Sequence, residues 1–201
     1  YPLGHSYNRK EKEEIIRLAQ LYDVYIVEDD YLADFDSKHE LTFHYLDDSQ
    51  HVIYIKSFSA SLFPALRITA LLLPSDIQSA FIAYKKAVDY DSNLIMQKAL
   101  SLYIDNLMFE KNRLFLLNKQ EKEVMRAKKL LSENQLKLSY FLNRDGILLD
   151  LRGLKSVSSF KHSNLPLDFF ESSYIHDCPY QYAKIRYENL EKTLQHLNKY
   201  L

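Results

Sequence analysis

Three serines and one arginine lie close together in the segment 53–73, IYIKSFSASLFPALRITALLL. Ser57, Ser59 and Ser61 alternate in a turn after a short apolar run, and Arg67 precedes a second apolar run. Hydroxyl groups, backbone amides and a guanidinium together suit a phosphate or a carboxylate. The segment predicts either an anion-binding loop between two strands or a serine-rich turn whose arginine pairs with a surface carboxylate.

A second group of polar residues follows an earlier apolar run. Residues 24–27 predict a short buried strand, and Glu28, Asp29, Asp30 and Tyr31 come directly after it. In α/β proteins, ligands collect beyond the carboxyl ends of strands. These residues therefore indicate either a ligand-binding edge of a sheet or a solvated acidic loop.

The elements that must position these groups follow from hydrophobic periodicity and capping signals. Asn8 with Glu11 predicts a capped amphipathic helix of about four turns before the first strand. Further strands are predicted at 51–56, 68–73, 136–142, 147–151 and 182–187, and further helices at 76–88, from Asn93 with a break near 110–112, and after Asn189. The alternation predicts an α/β protein with a large domain at 1–110 and a small α+β domain at 111–201.

Composition limits the classes of protein that the chain can represent. Its 201 residues are 47% hydrophobic and carry a formal net charge of −1, so no global basic field indicates nucleic-acid or membrane binding. A single cysteine, Cys178, excludes an intrachain disulfide. His39, His44 and His51 are too loosely spaced for a metal pattern, so no metal is predicted.

The chain shows no targeting or membrane signal. No apolar run approaches the ~18 residues that a bilayer-spanning helix needs, and the N-terminus lacks a signal-peptide profile. The first residues, YPLG, include no methionine. We therefore expect a cytoplasmic chain that is a piece of something longer.

Two motifs carry a resemblance to a known family. The segments IVEDDY (26–31) and SFSxSLFPxLRI (57–68), after an initial YPxG, resemble the fold-type I pyridoxal-phosphate aminotransferase-like domains of MocR-type regulators in the GntR superfamily. The resemblance is strongest over 1–73 and covers only the later part of that domain. It implies that Asp29 faces the cofactor's pyridine nitrogen and Tyr31 its phenolic oxygen. It also leaves Ser57, Ser59 and Arg67 as a phosphate corner.

The same resemblance places the family's Schiff-base lysine at position 60, which is alanine here. A methyl group can neither bind the cofactor covalently nor shuttle a proton. Lys56 lies four residues earlier, and nothing in the spacing directs it to the same point. Pyridoxal phosphate is therefore expected to bind weakly or not at all, and no catalytic residue is assigned.

Arg186, in the segment AKIRY before the last helix, corresponds to the family's arginine for the substrate carboxylate. An arginine in a surface ion pair on an edge strand is the alternative reading of this residue.

These observations lead to one functional hypothesis with two alternatives. The chain is interpreted as a catalytically inactive effector-binding and dimerisation module of a MocR-like transcription regulator. Its partners would be a small amino-acid-like or cofactor-like effector and a second copy, with DNA bound only through an N-terminal domain outside these residues. The first alternative is a fragment of a pyridoxal-phosphate-dependent aminotransferase acting on an amino acid, with its lysine mutated. The second is a scaffold used only for dimerisation.

Overall fold

The structure is a computed structural model that describes residues 6–35, 41–62, 66–89, 92–143, 146–152, 165–170 and 182–197. The predictions that concern His39 and Cys178 lie outside these residues. The chain divides into two compact units. We call Tyr7–Leu117 the N-terminal unit, and Asn118–Leu201 with Tyr1–Ser6 the C-terminal unit.

The N-terminal unit contains a three-stranded sheet with helices before and after it. Its elements in chain order are α1 (Arg9–Tyr22), β1 (Ile26–Asp29), a 3-10 turn (Ala33–Phe35), α2 (Phe43–Leu46), β2 (Val52–Ser57), β3 (Thr69–Leu72), α3 (Ser75–Val88), α4 (Leu94–Asp105) and the start of α5 (Met108–Asn134). The strand order is β1-β2-β3. β1 and β2 are parallel, whereas β2 and β3 are antiparallel.

Helix α1 begins as the sequence predicts. The Asn8 side chain accepts a hydrogen bond from the Glu11 amide, and the Glu11 side chain accepts one from the Asn8 amide. This capping box satisfies two amides that the helix itself cannot pair. The helix buries Ile16, which packs with Phe43 and Val52 in a small core.

The C-terminal unit is an antiparallel sheet covered by helices. It contains the rest of α5, then β4 (Tyr140–Asn143), β5 (Gly146–Asp150), β6 (Asp168–Phe169), β7 (Tyr182–Arg186), a 3-10 turn (Tyr187–Asn189) and α6 (Leu190–Leu197). The strand order is β4-β5-β7-β6. Leu190, Leu194 and Leu197 of α6 are buried, as their spacing predicts. They pack with β5 and β7 in one apolar core.

Three predicted features differ in the structure. The Val24 amide donates to the Ala19 carbonyl and closes the end of α1, so β1 starts only at Ile26 and is partly exposed rather than buried. The long helical segment breaks at Leu107, which adopts a left-handed φ of 58°, rather than near 110–112. Helix α3 has the predicted apolar periodicity but buries none of its residues.

None of the helices in the described ranges is both long enough and apolar enough to cross a bilayer.

Candidate functional site

The carboxyl ends of β1 and β2 lie side by side in the N-terminal unit. The two strands are parallel, with Asp29 paired with Ile55, and the Asp30 amide extends the ladder by donating to the Ile55 carbonyl at 2.9 Å. Asp29 is exposed at the end of β1, and Ser57 ends β2. The structure thus brings the acidic strand end and the first residue of the serine turn to one edge of the sheet.

Alternation along the strands separates the polar side chains into two sets. Because successive side chains point to opposite faces, Asp29 and Ser57 share one face, whereas Glu28, Tyr54 and Lys56 share the other. Helix α2 covers the second face: the Glu28 carboxylate accepts from the amides of residues 43 and 44 at 2.8 and 3.0 Å. The Asp29 side of the sheet is therefore the side available to a ligand.

The serine turn is fixed by hydrogen bonds within itself and by α5. The Ser59 amide donates to the Ser57 hydroxyl oxygen at 3.3 Å. The Ser61 side chain is buried and donates to the carbonyl of Phe58. The side-chain amide of Asn112, in the first turns of α5, donates to the Ser61 carbonyl at 2.6 Å. Only Ser57 and Ser59 therefore remain available to an outside anion.

Ala60 lies in this turn and is half-buried. Its methyl group offers no hydrogen-bonding or nucleophilic atom.

Arg67 and Tyr31 are both exposed. Arg67 has a φ of 51°, in the left-handed region that is uncommon for residues other than glycine. It forms no ion pair with any residue that the structure describes. Its guanidinium is therefore accessible to an anion.

Arg186 belongs to the C-terminal unit, where it ends β7. Its Nε donates to the Asp168 carboxylate at 3.0 Å, and both side chains are more than half exposed. β7 lies between β5 and β6, so Arg186 is not on an edge strand as the alternative interpretation supposed. The surface ion pair of that interpretation is nevertheless present.

Sequence reasoning missed a polar layer on the covered face of β1 and β2. Lys56 Nζ lies 2.6 Å from the Asp34 carboxylate, with side chains only 15% and 10% exposed. Two residues earlier on β2, the Tyr54 hydroxyl donates to the Asp30 carboxylate at 2.8 Å. Burial, together with this hydrogen bond to a carboxylate, raises the pKa of Tyr54 strongly. The available signal was a lysine in an otherwise apolar strand, since such a charge needs a partner.

A half-open apolar cleft of about 250 Å³ lies near the serine turn in the same unit. Its walls come from the turn and from α4 and α5: Leu62, Leu66, Met96, Ala99, Leu100, Tyr103 and Asn112. Asn112 is the side chain that holds Ser61. No group of three or more metal-ligating side chains occurs in the described part of the chain.

Similarity to solved structures defines the class of fold. A kynurenine aminotransferase from Pyrococcus horikoshii superimposes with a TM-score of 0.83 at 19% identity, over 98% of this chain and 52% of its own. Cystalysin from Treponema denticola, which contains pyridoxal 5'-phosphate, gives 0.80 at 16% identity, over 98% and 54%. The chain therefore has the fold-type I aminotransferase fold, and it spans about half of such a chain.

Sequence similarity points to regulators. YcxD of Bacillus subtilis, an uncharacterized HTH-type transcriptional regulator, is 45% identical over 113 residues, which are 56% of this chain and 26% of that protein. The probable rhizopine catabolism regulatory protein MocR of Rhizobium meliloti is 29% identical over 111 residues, 54% of this chain and 22% of its own. No protein-family model matches the sequence. The chain is thus similar to MocR-type regulators over a little more than half of its length, as its motifs indicate, and the match spans about a quarter of those proteins.

Proposed function

We propose that this chain is part of the effector-binding module of a MocR-type regulator and binds its ligand without covalent chemistry. The observation that carries the proposal is Ala60, which stands in the serine turn after β2, the strand that pairs with β1 and its terminal Asp29. The similarity to regulators favours this function over a mutated aminotransferase. A cytoplasmic location and DNA binding through an N-terminal helix-turn-helix domain belong to the same proposal.

The residues present fit noncovalent contacts to pyridoxal phosphate or a similar ligand. Asp29 would face the pyridine nitrogen, Tyr31 the phenolic oxygen, and Ser57, Ser59 and Arg67 the phosphate. When bound, this cofactor supplies an electron sink for amino-acid chemistry. A carboxylate near the ring nitrogen favours its protonated form, and a guanidinium with two hydroxyls suits a phosphate.

The residues do not fit covalent attachment. Ala60 has no amine, and Lys56 lies on the opposite face of β2 in an ion pair with Asp34. No side chain of the turn itself can therefore hold the aldehyde carbon or move a proton at the substrate's α-carbon. We infer that any activity of the module is binding, with Arg186 as the candidate contact for an amino-acid carboxylate.

Self-association is the second part of the proposal. Helix α4 is apolar over most of its surface yet buries only Leu100, while Leu94 and Ile95 are 67% and 79% exposed. A helix of this composition is normally covered. A second copy would cover it and give the homodimer that the sequence predicts.

The experiment compares the chain with an Ala60→Lys variant, each with and without excess pyridoxal phosphate. In the variant we expect a new visible absorbance band that survives dialysis, and borohydride should fix the cofactor at residue 60. In the unsubstituted chain we expect a higher melting temperature with the ligand but no retained band. If neither protein shows a band or a melting shift, the binding proposal fails and a scaffold function remains.

A further inference from the structure

Lys56 is an amine close to the candidate site, yet it points to the other face of the sheet. Its Nζ lies 2.6 Å from Asp34, and it also lies over the Phe58 ring, 5.9 Å from the centroid. Asp34 belongs to the short helical turn after β1, and Phe58 stands between the two serines of the candidate phosphate corner. One cation thus contacts both segments that carry candidate ligand-binding residues.

The Tyr54–Asp30 hydrogen bond forms a second link on the same face. Asp30 immediately precedes Tyr31, and Asp34 follows it by three residues, so the segment 30–34 is attached to β2 at both of its ends. The Phe35 amide closes this segment by donating to the Leu32 carbonyl at 2.9 Å. Both links lie behind the sheet as seen from Asp29.

The Lys56–Asp34 link is a buried ion pair: its two atoms lie 2.6 Å apart, although their orientation does not meet the geometry of a hydrogen bond, so the attraction between the charges holds the segment. Exposed ion pairs contribute little because water and salt screen them. The charges of Lys56 and Asp34 are largely removed from water, so separating them leaves an uncompensated charge in a poorly solvated place. The Phe58 ring, which packs edge-on against Phe109, limits where the ammonium can move.

We propose that Lys56 is a positioning residue for the ligand site, acting through Asp34 from the far side of the sheet. It holds the Tyr31 segment against β2 and the serine turn and does not itself react with the ligand. The part of this proposal that concerns the ligand rests on the proposed function. The part that concerns the link between the two segments does not.

The first test needs no ligand. Hydrogen exchange of the Asp30 and Phe35 amides is measured in the unsubstituted chain, in Lys56→Met, and in Lys85→Met as a control. Lys85 pairs with Asp89 on exposed helix α3 of the same unit. Faster exchange at both amides in Lys56→Met alone supports the proposal. Equal exchange in all three proteins overturns it, whether or not a ligand binds.

The second test measures binding of pyridoxamine phosphate, which has no aldehyde and so cannot react with a lysine. We expect Lys56→Met and Asp34→Asn each to weaken binding roughly tenfold, the scale typical of a residue that orients a ligand-contacting group. The double variant should bind no worse than either single variant, because all three remove the same link. Lys56→Arg keeps the positive charge and should recover most of the affinity, whereas Lys56→Met keeps a side chain of similar length without the charge.

Borohydride trapping with pyridoxal phosphate separates positioning from reaction. After reduction and proteolysis of the Ala60→Lys variant, the proposal expects the label on residue 60 and not on Lys56. A label on Lys56 in the unsubstituted chain would overturn the proposal by making Lys56 the reactive amine. If the unsubstituted chain does not bind pyridoxamine phosphate, the proposed function fails, and the exchange experiment still decides the role of Lys56.

Discussion

In the C-terminal unit, the side chains of β5 and β7 are buried along almost the whole of both strands, whereas β1 and β3 of the N-terminal unit are largely open to solvent. Among the described residues, the C-terminal core joins eleven buried residues from α5, β5, β7 and α6 and from the segments directly after β5 and β7. The corresponding cluster of the N-terminal unit has three, Ile16, Phe43 and Val52. The candidate ligand residues Asp29, Ser57 and Arg67 all belong to the unit with the smaller core.

The N-terminal unit has several exposed apolar side chains around its first helix and strand. Leu21, Tyr22, Val24 and Val27, around the end of α1 and along β1, are each at least half exposed. A parallel strand is normally covered on both faces, so a pair like β1 and β2 is usually part of a larger sheet. We infer that the C-terminal unit can hold its structure by itself, whereas the N-terminal unit depends on further contacts.

The largest expected effect tests the tightly packed unit. A Cβ added to Gly146 would lie 2.2 Å from the carbonyl oxygen of Ile185 on the neighbouring strand β7. Since that atom belongs to backbone in the middle of the sheet, β5 or β7 must shift. We expect Gly146→Ala to lower the free energy of unfolding by about 4 kcal/mol, as measured by urea unfolding followed by circular dichroism.

Ser139→Ala serves as the control for this substitution, because Ser139 is exposed beside the same sheet. The control should change the free energy of unfolding by less than about 0.5 kcal/mol. A similar small change for Gly146→Ala would show that the C-terminal sheet is looser than its packing indicates, and the contrast between the units would disappear.

A matched pair of truncations compares the two cores directly. Leu194 on α6 and Ile16 on α1 are 1% and 5% exposed, and each projects from an amphipathic helix. Leu194→Ala removes a side chain surrounded by rigid neighbours, so we expect a loss of about 3 kcal/mol. Ile16 lies in a small core whose other side chains can move into the space, so for Ile16→Ala we expect a loss of about 2 kcal/mol. Hydrogen exchange of β5 and β2 amides reports each unit separately.

The sequence predicts elements where local signals decide. The Asn8 and Glu11 capping pair and the leucine spacing after Asn189 placed α1 and α6, because capping and periodicity act within a few residues. Burial in the N-terminal unit was not predictable, since an apolar run such as 24–27 has the same sequence pattern whether or not another segment covers it. The motif residues Asp29 and Ser57 lie at the same end of the paired strands β1 and β2, as parallel pairing requires. The Lys56–Asp34 pair joins segments 22 residues apart (56 − 34), a distance that no local pattern reports.

Acid should destabilise the N-terminal unit through Asp47. Burial raises the pKa of this carboxyl, but bonds from the Ser49 hydroxyl and from the amides of Ser49, His51 and Val52 outweigh burial and lower it. A lowered native pKa stabilises the fold above the unfolded value of about 4, and the stabilisation is lost as pH falls through the native pKa.

We therefore expect Asp47→Asn to cost about 1–2 kcal/mol at pH 7 and progressively less as the pH falls below about 4 and through the native pKa of Asp47, because the amide cannot ionise. Unfolding curves at a series of pH values measure the difference. Asp48→Asn, at the exposed neighbouring position, should follow the unsubstituted chain at every pH. A constant difference between Asp47→Asn and the unsubstituted chain would mean that ionisation of Asp47 does not contribute to stability.

The smallest effect is expected at the surface pair of the C-terminal unit, where Arg186 contacts Asp168. Both side chains are more than half exposed, so solvent screens their attraction. Asp168→Asn should change the free energy of unfolding by less than about 0.5 kcal/mol, and a double-mutant cycle with Arg186→Gln should show an equally small coupling. If the pair is this weak, a ligand carboxylate can replace Asp168 as the partner of Arg186 at little cost in free energy, as the predicted role of Arg186 requires. A coupling above about 1 kcal/mol would instead make the pair part of the fold, and the carboxylate contact would have to be sought at another residue.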